Sequence, residues 1–181
     1  MTFVQKRNSL IQSLADYLGC PVLLASQVQP EADVPFVVYS VTADYIPENT
    51  LGDISLGDAA DPEMVSVDRR EMPTATFSFT VCSSNHFVMS DDGAEEYIYG
   101  ADEAAEYSAK AQGFFLHSGF FAIEKAGFVV VDVANSSNRD VLESDEMGRR
   151  YGFDVILRYT RTDSFEVDTI DAVQTIQKEE V

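Results

Sequence analysis

The side chains best suited to catalysis are few and widely separated in this sequence. The two histidines, His86 and His117, lie far apart, and Cys82 precedes the first by four residues with no further ligands at zinc-site spacing. Ser83 and Ser84 lack the glycine-flanked turn of a nucleophile elbow. The sequence also contains no glycine-rich phosphate loop and no dinucleotide-binding fingerprint. We therefore predict a protein that is not an enzyme and that uses no cofactor.

Acidic clusters are the remaining candidates for chemistry, because carboxylates bind divalent cations. Two groups lie close together in sequence: Asp91, Asp92, Glu95 and Glu96 form the first, and Asp53, Asp58 and Asp61 form the second. Neither group has the spacing of an EF-hand loop. The first group is explained more simply as acids that stabilise the positive, N-terminal end of a helix. We predict no metal site.

The composition is that of a folded, strongly acidic protein. Twelve Lys and Arg against 31 Asp and Glu give a net charge of −19 over 181 residues, and 45% of the residues are hydrophobic. A chain of this size buries roughly 70% of its unfolded surface, so the apolar residues can form a core. No cationic stripe is present, which disfavours specific binding of nucleic acid. No apolar run approaches the roughly 18 residues of a membrane span, and no export signal is expected.

Two main helices are predicted from the spacing of apolar and small residues. The first runs from Thr2 to Leu18, where apolar residues recur on one helical face and a glycine follows. The second runs from Asp91 to Leu116, starting with acids and continuing with small residues that allow close packing on a sheet. A short helical segment from Phe120 to Lys125 follows it.

Strands are predicted where apolar residues alternate or run together: Pro21–Ala25, Pro35–Ala43, Met64–Glu71, Thr74–Ser83, Phe128–Val133 and Tyr151–Arg161. The third and fourth should form a hairpin across Met72 and Pro73, and the almost wholly apolar fifth should lie in the centre of the sheet. The predicted core comprises Leu10, Leu14, Val37, Tyr39, Val41, Phe77, Phe79, Val81, Phe115, Val129, Val131, Phe153, Val155 and Leu157.

The order of these elements predicts an α+β fold: a mostly antiparallel, mixed β-sheet with the two main helices packed on one face. Residues 1–162 should form one domain, and residues 163–181 an acidic tail with one possible extra strand at 172–177. Residues 44–63 combine Gly, Pro and acids and predict a long loop. Loops of about 20 residues are uncommon in compact domains unless they are functional or disordered. One interpretation is a floppy acidic surface loop, and the other is a loop whose Asp53, Asp58 and Asp61 contact a partner.

The few basic residues are grouped, whereas residues 8–68 contain ten acids and no Lys or Arg. Arg139, Arg149 and Arg150 should pair with acids such as Asp145 and Glu146, either within one subunit or across a contact between subunits. A contact between two acidic copies is repulsive unless positive groups neutralise it. These five residues are therefore the predicted subunit interface.

The most distinctive part of the sequence combines Asn138-Arg139-Asp140, Asp145-Glu146 and the run from Arg149 to Val155, which reads RRYGFDV. Together with Pro35-Phe36-Val37-Val38-Tyr39 near the N-terminus, it resembles the neck or tail-terminator-like proteins of tailed bacteriophages. The resemblance covers roughly residues 3 to 160.

This resemblance implies a virion structural protein without catalytic activity. Such a protein forms a ring, commonly a hexamer, that closes the head-proximal end of the tail tube and joins it to the head–tail connector protein. Its partners would be copies of itself, the tail tube protein and the connector, assembled in the host cytoplasm and located in the neck of the virion. DNA would pass through without specific binding, and acids such as Asp53, Asp58 and Asp61 would contact a partner or line the lumen, because negative charge repels phosphate.

Two other functions fit the composition. A non-viral acidic adaptor domain would remain monomeric at high concentration, whereas a ring protein should self-associate, alone or on meeting its tube. A small metal-dependent hydrolase would need acids that converge with a metal or a histidine.

Overall fold

The computed structural model describes residues 1–25, 32–48, 50–89, 93–140 and 148–168. The chain divides into two compact units: residues 1–46 with 73–159 form the first, and residues 47–72 with 160–181 form the second. The expected domain boundary after residue 162 falls inside a strand of the second unit. The possible strand at 172–177, together with Asp145 and Glu146, lies outside the described residues.

Three α-helices and eleven strands follow one another along the described chain. The helices are α1 (Phe3–Leu18), α2 (Gly100–Gly113) and α3 (Phe120–Lys125), with a π-helical turn at Phe114–Ser118 between the last two. The strands are β1 (Val22–Leu24), β2 (Phe36–Ile46), β3 (Asp53–Asp58), β4 (Met64–Glu71), β5 (Thr74–Ser83), β6 (His86–Met89), β7 (Glu95–Ile98), β8 (Phe128–Val133), β9 (Ser137–Asn138), β10 (Arg149–Tyr159) and β11 (Arg161–Asp168).

Helix α1 has the predicted extent because both of its ends are capped. The Thr2 hydroxyl accepts a hydrogen bond from the Gln5 backbone N–H, and the Gln5 side chain accepts one from the Thr2 backbone N–H, which is a capping box. Gly19 ends the helix in the left-handed conformation, with φ +75°. Leu10 and Leu14 are fully buried in the core of the first unit.

The main sheet of the first unit has the strand order β1-β2-β5-β10-β8, and β9 pairs with β10. Of the strand pairs that the structure describes in this sheet, only β1–β2 is parallel. In the central strands Phe77, Phe79 and Phe153 are fully buried, and the rings of Phe3 and Phe115 from the helical layer contact them. The predicted fold class is confirmed: a mostly antiparallel, mixed sheet with two main helices on one face.

Strand β8 lies at the edge of this sheet, so the prediction of a central position was wrong. The predicted core residues Val129 and Val131 are 64% and 48% exposed, whereas Phe128 on the other side of the strand is buried. An almost wholly apolar strand carries no alternation to show which side faces the core. The packing of Phe128 against Phe3 and Phe77 makes that choice.

The predicted hairpin of β4 and β5 was also wrong, because the two strands belong to different sheets. Strand β4 pairs with β3 and β11, whereas β5 pairs with β2 and β10. Met72 and Pro73 lack the residues that supply positive φ angles in a two-residue hairpin turn. Pro73 is instead buried, and its carbonyl accepts a hydrogen bond from the Tyr159 N–H.

Helix α2 begins at Gly100, later than predicted, because Glu95–Ile98 form strand β7, which pairs with β6. Tyr97, Ile98 and Tyr99 favour extended backbone, and this preference outweighs the acids before them. A Cβ on Gly100 would lie 2.5 Å from the Ser84 backbone, so only glycine fits at this start of the helix. The predicted first residues of the helix, Asp91 and Asp92, lie outside the described residues.

The second unit contains a three-stranded antiparallel sheet with the order β11-β4-β3. The prediction of one long loop over residues 44–63 was therefore wrong, because Asp53–Asp58 form strand β3. Gly52 precedes the strand with φ +74°, and a Cβ there would lie 2.6 Å from the Arg70 carbonyl oxygen. Residues 53–58 form a strand because they pair with β4, which lies further along the sequence. The local sequence resembles a turn and therefore does not indicate this pairing.

Candidate subunit interface

Arg139 lies across strand β10 and donates hydrogen bonds to three side chains of the main sheet. Its guanidinium donates to the Ser78 hydroxyl at 2.8 Å, to the Thr80 hydroxyl at 3.2 Å and to the Asp154 carboxylate at 2.9 Å. A Cβ on Gly152 would lie 2.8 Å from the Arg139 side chain and 2.5 Å from the Phe79 carbonyl oxygen. The glycine of the RRYGFDV run therefore makes room for the arginine.

Asp140 joins the segment after β9 to the start of β10. Its carboxylate accepts hydrogen bonds from the Arg150 backbone N–H at 2.6 Å, the Asn138 amide at 3.1 Å and the Arg149 guanidinium at 3.3 Å. Burial acts to raise the pKa of Asp140, but these donors outweigh it and the pKa lies below its ordinary value.

Asp154 has the same electrostatic balance in the middle of β10. Burial acts to raise its pKa, while hydrogen bonds from Ser78 and Arg139 and the positive charge of Arg139 lower it. The net effect is a pKa below the ordinary value, so the carboxylate is ionised at neutral pH.

The predicted interface residues thus lie together around the β9–β10 pair, as far as they are described. Arg139 and Arg149 form ion pairs within the chain, with Asp154 and Asp140, and the Arg150 backbone binds the same Asp140. Asp145 and Glu146 lie outside the described residues. The contact between Arg139 and Asp154 was not foreseen, although a glycine inside a strand of large residues signals the close approach of another group.

The three loop acids are not brought together by the structure. Asp53 and Asp58 lie at the two ends of β3 and on opposite faces of the sheet, since their positions differ by an odd number. Asp61 accepts a hydrogen bond from the Glu63 N–H at 3.0 Å in the turn before β4. Within the described ranges no three His, Cys, Asp or Glu side chains gather as metal ligands.

One face of the three-stranded sheet is apolar, and we call it the second-unit apolar face. The strand register places six side chains on it: Ile54, Leu56, Val65, Val67, Phe165 and Val167. Leu56, Val67 and Phe165 lie directly opposite one another across the three strands. Ile54, Leu56 and Phe165 are 63%, 73% and 59% exposed, so this face is open to a partner.

Charged residues border the second-unit apolar face and nearly cancel. Arg69 pairs with Glu71 at 2.7 Å, and Arg161 pairs with Asp163 at 3.1 Å, all on this face of the sheet. Asp58 lies at the other end of the same face, so this face carries two arginines and three acids. The opposite face carries one arginine against four acids: Arg70, Asp53, Asp68, Glu166 and Asp168.

A second exposed apolar surface lies on the first unit, and we call it the α3–β8 surface. Leu116, Phe120, Phe121 and Val129 are between 64% and 80% exposed there. They line a groove of about 860 Å³ beside the edge strand β8. Of the described residues that line the groove, Glu124 is the one with an acidic side chain. The sequence prediction missed both surfaces, although the alternation in Ile54-Ser55-Leu56 and Phe165-Glu166-Val167 was a readable signal.

A family model described as phage neck terminator protein matches residues 8–181. The chain belongs to this family. The resemblance to phage neck proteins is thereby confirmed over nearly the whole chain. A neck terminator is a structural component of the phage virion and associates with other head or tail proteins. A search of curated proteins gave no match to the chain. In the described part of the neck terminator, no helix combines the length and the apolar character needed to cross a membrane.

Proposed function

We propose that this neck terminator forms a ring, with six copies as the expected number, that closes the head-proximal end of the tail tube and joins it to the connector. The family match over residues 8–181 carries this proposal. The protein acts as a structural component without catalysis. It assembles in the host cytoplasm, and its partners are further copies of itself, the tail tube protein and the connector protein.

The acidity of the chain supports a passage for DNA. A chain with a net charge of −19 repels the phosphate backbone, so a ring of such chains lets DNA slide without binding it. The face of the second-unit sheet opposite the apolar one is strongly acidic and includes Asp53. We assign Asp53, Asp58 and Asp61 to surfaces that line the lumen or contact a neighbouring protein.

We also propose that the arginine cluster around β9 and β10 lies at or near the contact between copies. Arg139 and Arg149 already neutralise acids of their own chain, so their contribution is to keep this surface from repelling a second acidic copy. Asp145 and Glu146 belong to the same proposed contact.

The oligomeric state of the purified full-length chain tests the ring. Mass photometry and negative-stain imaging should show closed rings, either from the protein alone or after addition of the tail tube protein. A chain that remains monomeric in both experiments, and in sedimentation velocity at tens of micromolar, would contradict the proposal and favour an adaptor domain. A rise in melting temperature on addition of Mg²⁺ or Ca²⁺ would instead favour the metal-dependent hydrolase, because ligand binding stabilises the folded state.

The arginine contact is tested by the double substitution Arg149→Glu with Arg150→Glu. We expect smaller oligomers than for the unmodified protein, with the difference reduced at high salt, because the added acids increase repulsion. Arg7→Glu with Lys178→Glu changes the net charge equally at other positions and serves as the control. A folded double variant that forms the same ring would remove these two arginines from the interface.

A further inference from the structure

We propose that the second-unit apolar face of one copy docks on the α3–β8 surface of the next copy, so that each contact in the assembly is head-to-tail. This inference rests on the proposed function, which requires copies to associate. It adds the two surfaces that meet and the direction of the contact.

The extent of the two surfaces is the first argument. Leu56 on one surface and Phe121 on the other are 73% and 80% exposed, and each is accompanied by further exposed apolar side chains. Each surface therefore presents on the order of 400 Å² of apolar area, a size at which a patch on a monomer is often functional. Together with polar neighbours, such a patch can form the core of an interface of about 800 Å² per partner.

The distribution of charge argues for a second copy as the occupant. Most of the surface of a chain with net charge −19 repels another copy of itself. The two apolar surfaces repel less, because Arg69 and Arg161 pair with acids on one of them, and Glu124 is the one acidic side chain among the described residues that line the groove of the other. Two acidic copies can thus approach through these surfaces without a large electrostatic cost.

The presence of two unlike surfaces argues for a head-to-tail contact. If the second-unit apolar face packed against the same face of another copy, the assembly would stop at a two-fold dimer and leave Phe120 and Phe121 exposed. A contact between unlike surfaces uses both and repeats from copy to copy, which can close a ring. It also covers the region beside the edge strand β8, and exposed apolar edges of this kind promote unwanted pairing when they stay open.

The test uses one charged substitution on each surface, Leu56→Asp and Phe121→Asp. Both side chains are exposed, so each variant should fold with an unchanged circular dichroism spectrum. Ser55→Asp lies next to Leu56 on the opposite face of β3, and Ala109→Asp lies on the exposed side of α2, so these variants are matched controls. If a charged variant fails to fold, Leu56→Ser or Phe121→Ser takes its place.

We expect each test variant alone to weaken self-association by roughly a hundredfold, because a buried unpaired carboxylate disfavours the contact. The controls should assemble like the unmodified chain. An equimolar mixture of the two test variants should form heterodimers that grow no further. Leu56→Asp keeps an intact α3–β8 surface and Phe121→Asp keeps an intact second-unit apolar face, so a mixed pair has one functional contact. Sedimentation velocity resolves all of these species.

The outcomes separate this inference from the proposed function. Normal rings from either test variant, or no heterodimers in the mixture, overturn the pairing of surfaces while the ring itself stands. Dimers that persist in Phe121→Asp but disappear in Leu56→Asp show a two-fold contact and also overturn it. An unmodified chain that never associates, alone or with the tail tube protein, overturns both the inference and the ring.

Discussion

The main sheet of the first unit and the three-stranded sheet of the second unit are built on the same alternation of apolar and polar residues. Among the described residues, helices cover the apolar face of the first sheet and none covers that of the second. Phe79 in β5 is fully buried beneath that helical layer, whereas Phe165 in β11 is 59% exposed. A strand with one apolar face needs a second layer. The first unit contains this layer, and the exposed face of the second unit is where a partner can supply it.

The same contrast predicts that different residues determine the stability of the single chain and its assembly with partners. Large buried side chains contribute to the free energy of unfolding of the single chain, and large exposed ones contribute when a partner covers them. The core of the first unit should therefore govern folding, and the second-unit apolar face should govern association.

Replacing a buried phenylalanine of the main sheet should have the largest effect on stability. Phe79→Ala and Phe153→Ala should each lower the free energy of unfolding by about 3–5 kcal/mol, because each leaves a cavity in a packed core. Phe165→Ala should cost less than about 1 kcal/mol in the monomer. Urea unfolding followed by circular dichroism, at concentrations where the chain is monomeric, measures all three. Equal costs for Phe79 and Phe165 would mean that the two sheets do not differ as described.

The glycines of the two sheets should also differ. Gly152→Ala should cost about 1–3 kcal/mol, because the new methyl group meets the Phe79 carbonyl and the Arg139 side chain. Gly57→Ala in β3 should change stability by no more than about 0.5 kcal/mol, since the nearest atom to its Cβ is a flexible Asp68 oxygen at 3.6 Å. Thermal melts of the two variants provide the measurement. A neutral Gly152→Ala would contradict the close packing of Arg139 across β10.

The ion pairs around β9 and β10 should differ in strength. Arg139→Ala should cost about 1–2 kcal/mol, because it removes hydrogen bonds to Ser78, Thr80 and Asp154 at once. Arg149→Ala removes a single longer contact to Asp140 and should cost less than about 1 kcal/mol. Chemical denaturation of the two variants compares them directly. The reverse order would show that Arg139 does not organise this part of the sheet.

The loss of stability at low pH should be the smallest of these effects. The pKa values of Asp140 and Asp154 are lower in the folded protein than in the unfolded chain. Their stabilising contribution is therefore complete above the unfolded pKa of about 3.9 and is lost as pH falls through the lower folded values. Unfolding measured between pH 5 and pH 2 should show this loss, and Arg139→Ala should reduce the part due to Asp154. An unchanged profile in that variant would argue against the pairing.

The sequence alone allowed a correct prediction of the fold class, helix α1 and the buried faces of the central strands. Alternation in Phe77, Phe79 and Val81 and the helical spacing of Leu10 and Leu14 are local patterns that remain valid wherever the element lies. The residues that resemble phage neck proteins pointed to the family that residues 8–181 match.

Tertiary structure alone decided which strands become neighbours and which apolar surfaces remain exposed. Strand β4 pairs with β11 rather than with β5, β8 lies at an edge, and residues 53–58 form a strand because β4 lies beside them. Pairing between segments distant in sequence depends on the path of the whole chain, and a local pattern contains no information about its partner. The same alternation therefore produces a buried core in one sheet and an open surface in the other.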